Sequence, residues 1–86
     1  SNLPLDFEKF EKLMKSLPPT VFRAKGVVHF GNDTMKSTKH LLQIVGSRKQ
    51  LIEEDWSKVP HTALVFIGKL IDKERLIAAL QATLLS

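Results

Sequence analysis

Thr20–Phe30, TVFRAKGVVHF, is the stretch on which the reading of the fold turns. On a strand of period two, Phe22, Ala24, Val28 and Phe30 fall on one side, while Arg23, Lys25 and His29 fall on the other. The stretch is therefore predicted to be a strand with an apolar core face and a cationic outer face. Gly26 marks a place where another backbone packs close or the strand bends.

Upstream, Asp6 is placed to cap a helix, with Leu5 before it and Phe10 four positions after it as a hydrophobic staple. Phe7, Phe10, Leu13, Met14 and Leu17 recur at helical spacing, so the helix is expected to reach Leu17 and bury one stripe before Pro18-Pro19 stops it. Downstream, Gly31-Asn32-Asp33 supplies turn chemistry and a second strand is expected over Thr38–Val45. Gly46-Ser47 suits a type II′ hairpin turn, and a third strand follows from Arg48 to Glu54. That turn fixes the register: Val45 opposes Arg48, Ile44 opposes Lys49, Gln43 opposes Gln50, Leu42 opposes Leu51 and His40 opposes Glu53. Trp56 and Pro60 lie in the link to a fourth strand, His61–Gly68, whose run Ala63–Ile67 is apolar on both parities and is expected to be internal. Asp72 caps the last helix, with Ile71 and Leu76 as its staple and Leu76, Ile77, Leu80 and Leu84 as its buried stripe.

The predicted fold is α+β, in the order α-β-β-β-β-α. It is a two-layer domain whose four-stranded antiparallel sheet is covered on one face by both helices, over Phe22, Val28, Leu42, Ile44 and Leu51. The opposite face stays bare and mixes Arg23, Lys25, Gln43, Arg48 and Gln50 with Val27, Leu41, Val45 and Ile52. Apolar residues gathered on an open sheet face mark a place that something covers.

The 86 residues make one domain, spanning 1–86, with room for a single modest core. There is no cysteine, which removes disulfides and thiolate metal sites and fits a reducing compartment. No apolar run approaches the roughly 20 residues of a membrane helix, and a soluble, cytoplasmic protein is expected. Ser1-Asn2 reads as an artificial start, and the chain as a piece of something longer. The net charge of +4 raises nucleic acid or an acidic partner, although most Lys and Arg alternate with Glu on solvated helix faces.

Gly26–Gly31 has the glycine spacing of a phosphate-binding loop, but Asn32-Asp33 stand where Lys and Ser or Thr are required, so no nucleotide cradle is present. Lys25–Phe30 is similar to the base-stacking strand of RNA-recognition modules, yet Val27 and His29 stand where rings are wanted. The histidines are of a type that binds Zn, Ni or Co. His29 could join His40 and Glu53 only in a register that turns Phe22, Val28 and Phe30 away from Leu42 and Ile44. Hydrophobic register is expected to win. Glu53-Glu54-Asp55 alternates between faces, and no serine is paired with a base, so catalysis by this chain is not expected.

Arg23-Ala24-Lys25-Gly26 directly after a helix ending in Leu17-Pro18-Pro19, the lone Trp56, and Leu64-Val65-Phe66-Ile67-Gly68 leading into an Asp-capped helix together resemble the carboxy-terminal domain of the CobW family of P-loop GTPases. The resemblance runs from about Leu3 to Leu85. It implies an accessory domain of a GTP-dependent metallochaperone for cobalt, zinc or a similar ion, serving cobalamin biosynthesis or zinc homeostasis. GTP, Mg and the transition metal would belong to the parent protein, with no cofactor in this chain. The implied partners are the parent's own amino-terminal GTPase domain, absent here, and a metalloprotein client, with Arg23, Lys25, Gln43, Arg48 and Gln50 as the docking surface. His61 stands where relatives often show a basic residue, and the usual cysteine near the end of the last helix is missing. Relatives also carry a further strand before the first helix, and without it an open sheet edge is expected that can pair with another copy. The reading from a different class is a small basic nucleic-acid-binding domain.

Overall fold

The computed structural model describes residues 3–56 and 59–84. Its elements are α1 (Phe7–Ser16), β1 (Val21–Val28), β2 (Lys39–Val45), β3 (Arg48–Glu54), β4 (Ala63–Gly68) and α2 (Lys73–Gln81), which is the expected α-β-β-β-β-α order. The four strands form one antiparallel sheet in the order β3-β2-β1-β4. The hairpin register is the one that the Gly46-Ser47 turn dictates, from Val45↔Arg48 to His40↔Glu53. Gly46 takes φ 61° and Ser47 does not share its positive φ, as a type II′ turn requires.

The core lies between the sheet and the helices. Ala24, Val28 and Phe30 from the β1 stretch meet Leu42 and Ile44 of β2 and Phe10 and Met14 of α1. α2 is the lesser cover. It buries no residue fully, and Leu80 packs on the core edge near Leu64 and Phe66 of β4. Ile77, expected in its buried stripe, is 47% exposed, because it lies off the line through Leu76 and Leu80.

Three further expectations are corrected. β4 is an edge strand rather than an internal one, since β1 is its sole partner in the sheet among the described residues. Its apolarity on both parities reflects a half-covered core side, Leu64 and Phe66, and an uncovered outer side, Val65 and Ile67. Phe22 does not join the core. The β1–β4 register shifts between Val21 and Arg23, a bulge at which Val21 is inside at 7% exposure while Phe22, at 38%, stays at the margin beside Leu17, Pro18 and Lys49. Leu51 is 37% exposed, because β3 is the other edge and no residue of it is covered.

α1 is anchored at both ends. Asp6 caps its start, accepting from the Lys9 amide at 3.0 Å, and Asn32 of the following turn donates to the other Asp6 oxygen at 3.1 Å. The Asn32 side-chain oxygen in turn accepts from the Phe7 amide at 2.9 Å, so one residue satisfies an orphan helix donor and orients the cap. At the far end, Lys49 of β3 donates to the Met14 carbonyl, one of the last-turn acceptors that the helix cannot satisfy itself.

The Lys9 amide first, and the Asn32 amide second, hold the Asp6 carboxyl below its ordinary value. A depressed carboxylate pKa stabilises the fold above the ordinary carboxylate range and loses that contribution as pH falls through it. Asp6→Asn keeps a capping oxygen but cannot titrate. The urea midpoint of D6N is therefore expected to fall less between pH 5 and pH 3 than that of the parent chain. Parallel pH profiles would assign the acid loss to other groups.

Candidate docking face

Beyond the bulge, Arg23, Lys25 and Val27 of β1 point away from the helices, and pairing extends each into a row across the sheet. Ile67, Arg23, Val45 and Arg48 form the first row, Val65, Lys25, Gln43 and Gln50 the second, and Ala63, Val27, Leu41 and Ile52 the third. All five residues singled out from the sequence, Arg23, Lys25, Gln43, Arg48 and Gln50, are thus brought onto one face within two adjacent rows. Val65 and Ile67 enter with them and were not singled out, because their strand was expected to be internal.

Neither helix covers this face. Val65 is 59% exposed, Ile67 51%, Val45 49% and Ile52 43%. Lys25, Val27, Gln43, Ile52 and Val65 border a shallow open depression across the middle rows. The three rows carry Arg23, Lys25 and Arg48 and no acid, and none of these cations has an ion-pair partner among the described residues. The nearest acid along the edge, Glu54, is already held by Lys39 at 3.4 Å. Each cation stands beside branched aliphatic side chains or glutamines, so its stem can lie on apolar surface while its head stays in water. The result is a positively charged, partly apolar surface suited to an acidic protein patch with its own apolar centre.

Beyond the third row, the Trp56 ring stands edge-on to His29 at 5.8 Å and tilted over His61 at 5.8 Å. The His29 amide donates to Thr62 Oγ1 at 3.0 Å, and His61 Nδ1 lies 2.9 Å from the Val59 carbonyl. This cluster pins the link between β3 and β4 to the end of β1. Sequence reading placed Trp56 in that link without a partner, and its size in a polar stretch was the signal that it covers something.

His40 sits on the core side, buried against Phe30 with ring centroids 5.0 Å apart. β1 pairs Val28, not His29, with His40, so His29 and His40 lie on opposite sides of the sheet, as the hydrophobic register demands. Among the described residues no three His, Asp or Glu side chains converge. Phe30, the one ring that the base-stacking reading retained, is fully buried. Among the described residues no helix is long and apolar enough to cross a membrane.

Residues 1–84 match the family model described as "Cobalamin synthesis protein cobW C-terminal domain". No curated protein matches the chain. Among solved structures, the fold is similar to the Zn(II)-bound YjiA GTPase from E. coli, with a TM-score of 0.82 and 23% identity over 95% of this chain and 27% of that one. It is equally similar to a Zn(II)-bound triple mutant of YjiA, with a TM-score of 0.81 and 21% identity over 98% of this chain and 27% of the other. The chain thus spans about a quarter of the length of these neighbours.

Proposed function

Because the chain belongs to the family of cobW C-terminal domains, we propose that it is the accessory domain of a P-loop GTPase and docks on that protein's GTPase domain through the open sheet face. The observation that carries this reading is the composition of that face: three cations without ion-pair partners among the described residues, set among exposed Val45, Ile52, Val65 and Ile67. A surface of this kind is costly to leave in water and suits a partner that is acidic and apolar at once. The occupant is the remainder of the parent chain, since the solved neighbours carry nearly three times as much sequence again beyond the part that matches.

In this scheme the domain does no chemistry. GTP and Mg are handled by the preceding domain, and the transition metal, cobalt or zinc, is the cargo of the whole cytoplasmic protein and passes to a metalloprotein client. Arg23 and Lys25 sit at the centre of the face and supply the charge that steers docking. Gln43, Arg48 and Gln50 extend it towards β3.

The test is Arg23→Glu together with Lys25→Glu, in binding experiments between this domain and the separately produced GTPase domain. Docking is expected to weaken at least tenfold, with a steeper salt dependence for the parent pair than for the variant, and the isolated domain's melting temperature should move by no more than a few degrees. If the double variant unfolds the isolated domain, those side chains are structural and the docking assignment is lost. Unchanged affinity would overturn it equally.

A further inference from the structure

β3 is a sheet edge in which all seven residues, Arg48–Glu54, are exposed, with the Lys49 side chain reaching back to the end of α1. Its sequence is Arg48-Lys49-Gln50-Leu51-Ile52-Glu53-Glu54. Charge along it is antisymmetric about Leu51: two cations lead, two acids close, and the centre is neutral.

The backbone shares that centre. A two-residue hairpin turn makes the flanking Val45 and Arg48 a hydrogen-bonded pair, and such pairs then alternate along the ladder. Arg48, Gln50, Ile52 and Glu54 therefore spend their amides and carbonyls on β2, while those of Lys49, Leu51 and Glu53 point out from the sheet edge. The outward set is symmetric about Leu51 too.

We propose that two copies of this chain pair through β3, antiparallel, with Leu51 opposite the second copy's Leu51. In that register the outward backbone groups of Lys49, Leu51 and Glu53 meet those of Glu53, Leu51 and Lys49 on the other copy, and each pair exchanges two backbone hydrogen bonds. Directly opposed residues share a face. On the helix side Lys49 meets Glu53 twice, and on the open side Arg48 meets Glu54 twice. Arg48, which has no ion-pair partner among the described residues, gains one. Lys49 has three ammonium protons and can keep its bond to the Met14 carbonyl while reaching Glu53 of the second copy.

Charges on an edge strand ordinarily guard it against pairing, and here the register centred on Leu51 is the one that matches all four charged residues of the strand with opposite charges. A shift of two residues one way leaves Lys49 opposite Leu51 and both acids beyond the partner's cations, and a shift the other way sets Lys49 against Asp55, past the end of the strand, with Glu53 opposite Leu51 and Glu54 opposite Gln50. A parallel arrangement places like charges side by side. β4, the other edge, carries no charge to choose among registers and so does not specify a partner. The product is one eight-stranded sheet in which the two open faces run together. Pairing by one edge buries little surface, so the dimer is weak, half-formed on the order of 100 µM.

A charge-swap experiment tests this. Lys49→Glu sets acid against Glu53 at both ends of the pair, and Glu53→Lys sets Lys49 against lysine. By sedimentation velocity the parent chain is expected to pass from monomer to dimer with rising concentration, and each variant alone to need at least ten times more protein to do so. An equimolar mixture of the two variants restores opposite charges at every position and is expected to dimerise like the parent, which a folding defect in either variant would not allow. Leu51→Pro removes an outward amide without touching the bonds to β2, and is expected to give a folded monomer by circular dichroism. A parent chain that stays monomeric to millimolar concentration, or variants that dimerise as readily alone as mixed, would overturn the proposal. The GTPase-docking test involves neither Lys49 nor Glu53, so the two readings fail independently.

Discussion

Gly26→Val is expected to leave the domain unfolded. Gly26 sits at the centre of β1, an interior strand with a partner on each side, with φ at 151°, where L side chains rarely go. A Cβ built there would stand 2.0 Å from the Ala63 carbonyl oxygen and 2.8 Å from the Leu64 Cα. Both obstacles are backbone atoms of β4, so no side chain can swing aside. Either β4 separates from β1, taking Leu64 and Phe66 off the core, or β1 abandons its conformation and its pairing with β2. A domain of this size holds only several kcal/mol of stability in total, and either route costs at least that much. Far-ultraviolet circular dichroism and urea titration should find no cooperative transition. Gly26→Ala is expected to be nearly as damaging, because the clash is already made by Cβ. A folded G26A with a melting temperature within 5 °C of the parent chain would refute this account of the strand.

Phe30→Ala is expected to cost about 3–5 kcal/mol, a fall of roughly 15–30 °C in melting temperature for a domain of this length. Phe30 is fully buried and is the ring on which three others converge. Phe7 meets it at 5.3 Å and 82°, Phe10 at 5.5 Å and 69°, and His40 at 5.0 Å and 71°. All three contacts are edge-to-face, a geometry that adds roughly 0.5–1.5 kcal/mol per pair beyond area burial. The residue also joins α1, β1 and β2 at one point, so the cavity cannot close by moving a single element. Phe30→Leu fills most of the volume and is expected to recover more than half of the loss. Equal destabilisation by both substitutions would mean that ring geometry, not volume, dominates.

Much of this was legible in the chain because alternation within an unbroken strand is a direct record of its two faces. The order of residues from Arg23 to Phe30 placed Ala24, Val28 and Phe30 inward, and the Gly46-Ser47 turn fixed how β2 and β3 align, so the residues of the outer face followed by counting. Counting fails where the strand is interrupted. The bulge at Phe22 leaves no mark in the pattern, since an apolar residue at position 22 satisfies the parity whether or not the chain slips by one there. It also fails at strand order. An apolar run such as Ala63–Ile67 records only that both its sides are apolar, and it cannot distinguish a strand between two neighbours from an edge strand with one side open. If docking occurs as proposed, the apolarity of Val65 and Ile67 registers a contact outside this chain. Trp56 eluded assignment for a different reason: its partners, His29 and His61, are joined to it by a loop path rather than by a period.

Leu5 lies between Phe30 and Leu84, bridging to the first in parallel and to the second antiparallel, and the Asp6 amide donates to the Thr83 carbonyl at 2.7 Å. The two ends of the described chain therefore leave the domain side by side. Tension applied between them would pull first on this single bridge, peeling it open one bond at a time. The ladders that join β1 to β2 and β4 lie outside that line of force, so a tug transmitted from flanking segments would slacken the strap around the helices before it sheared the sheet.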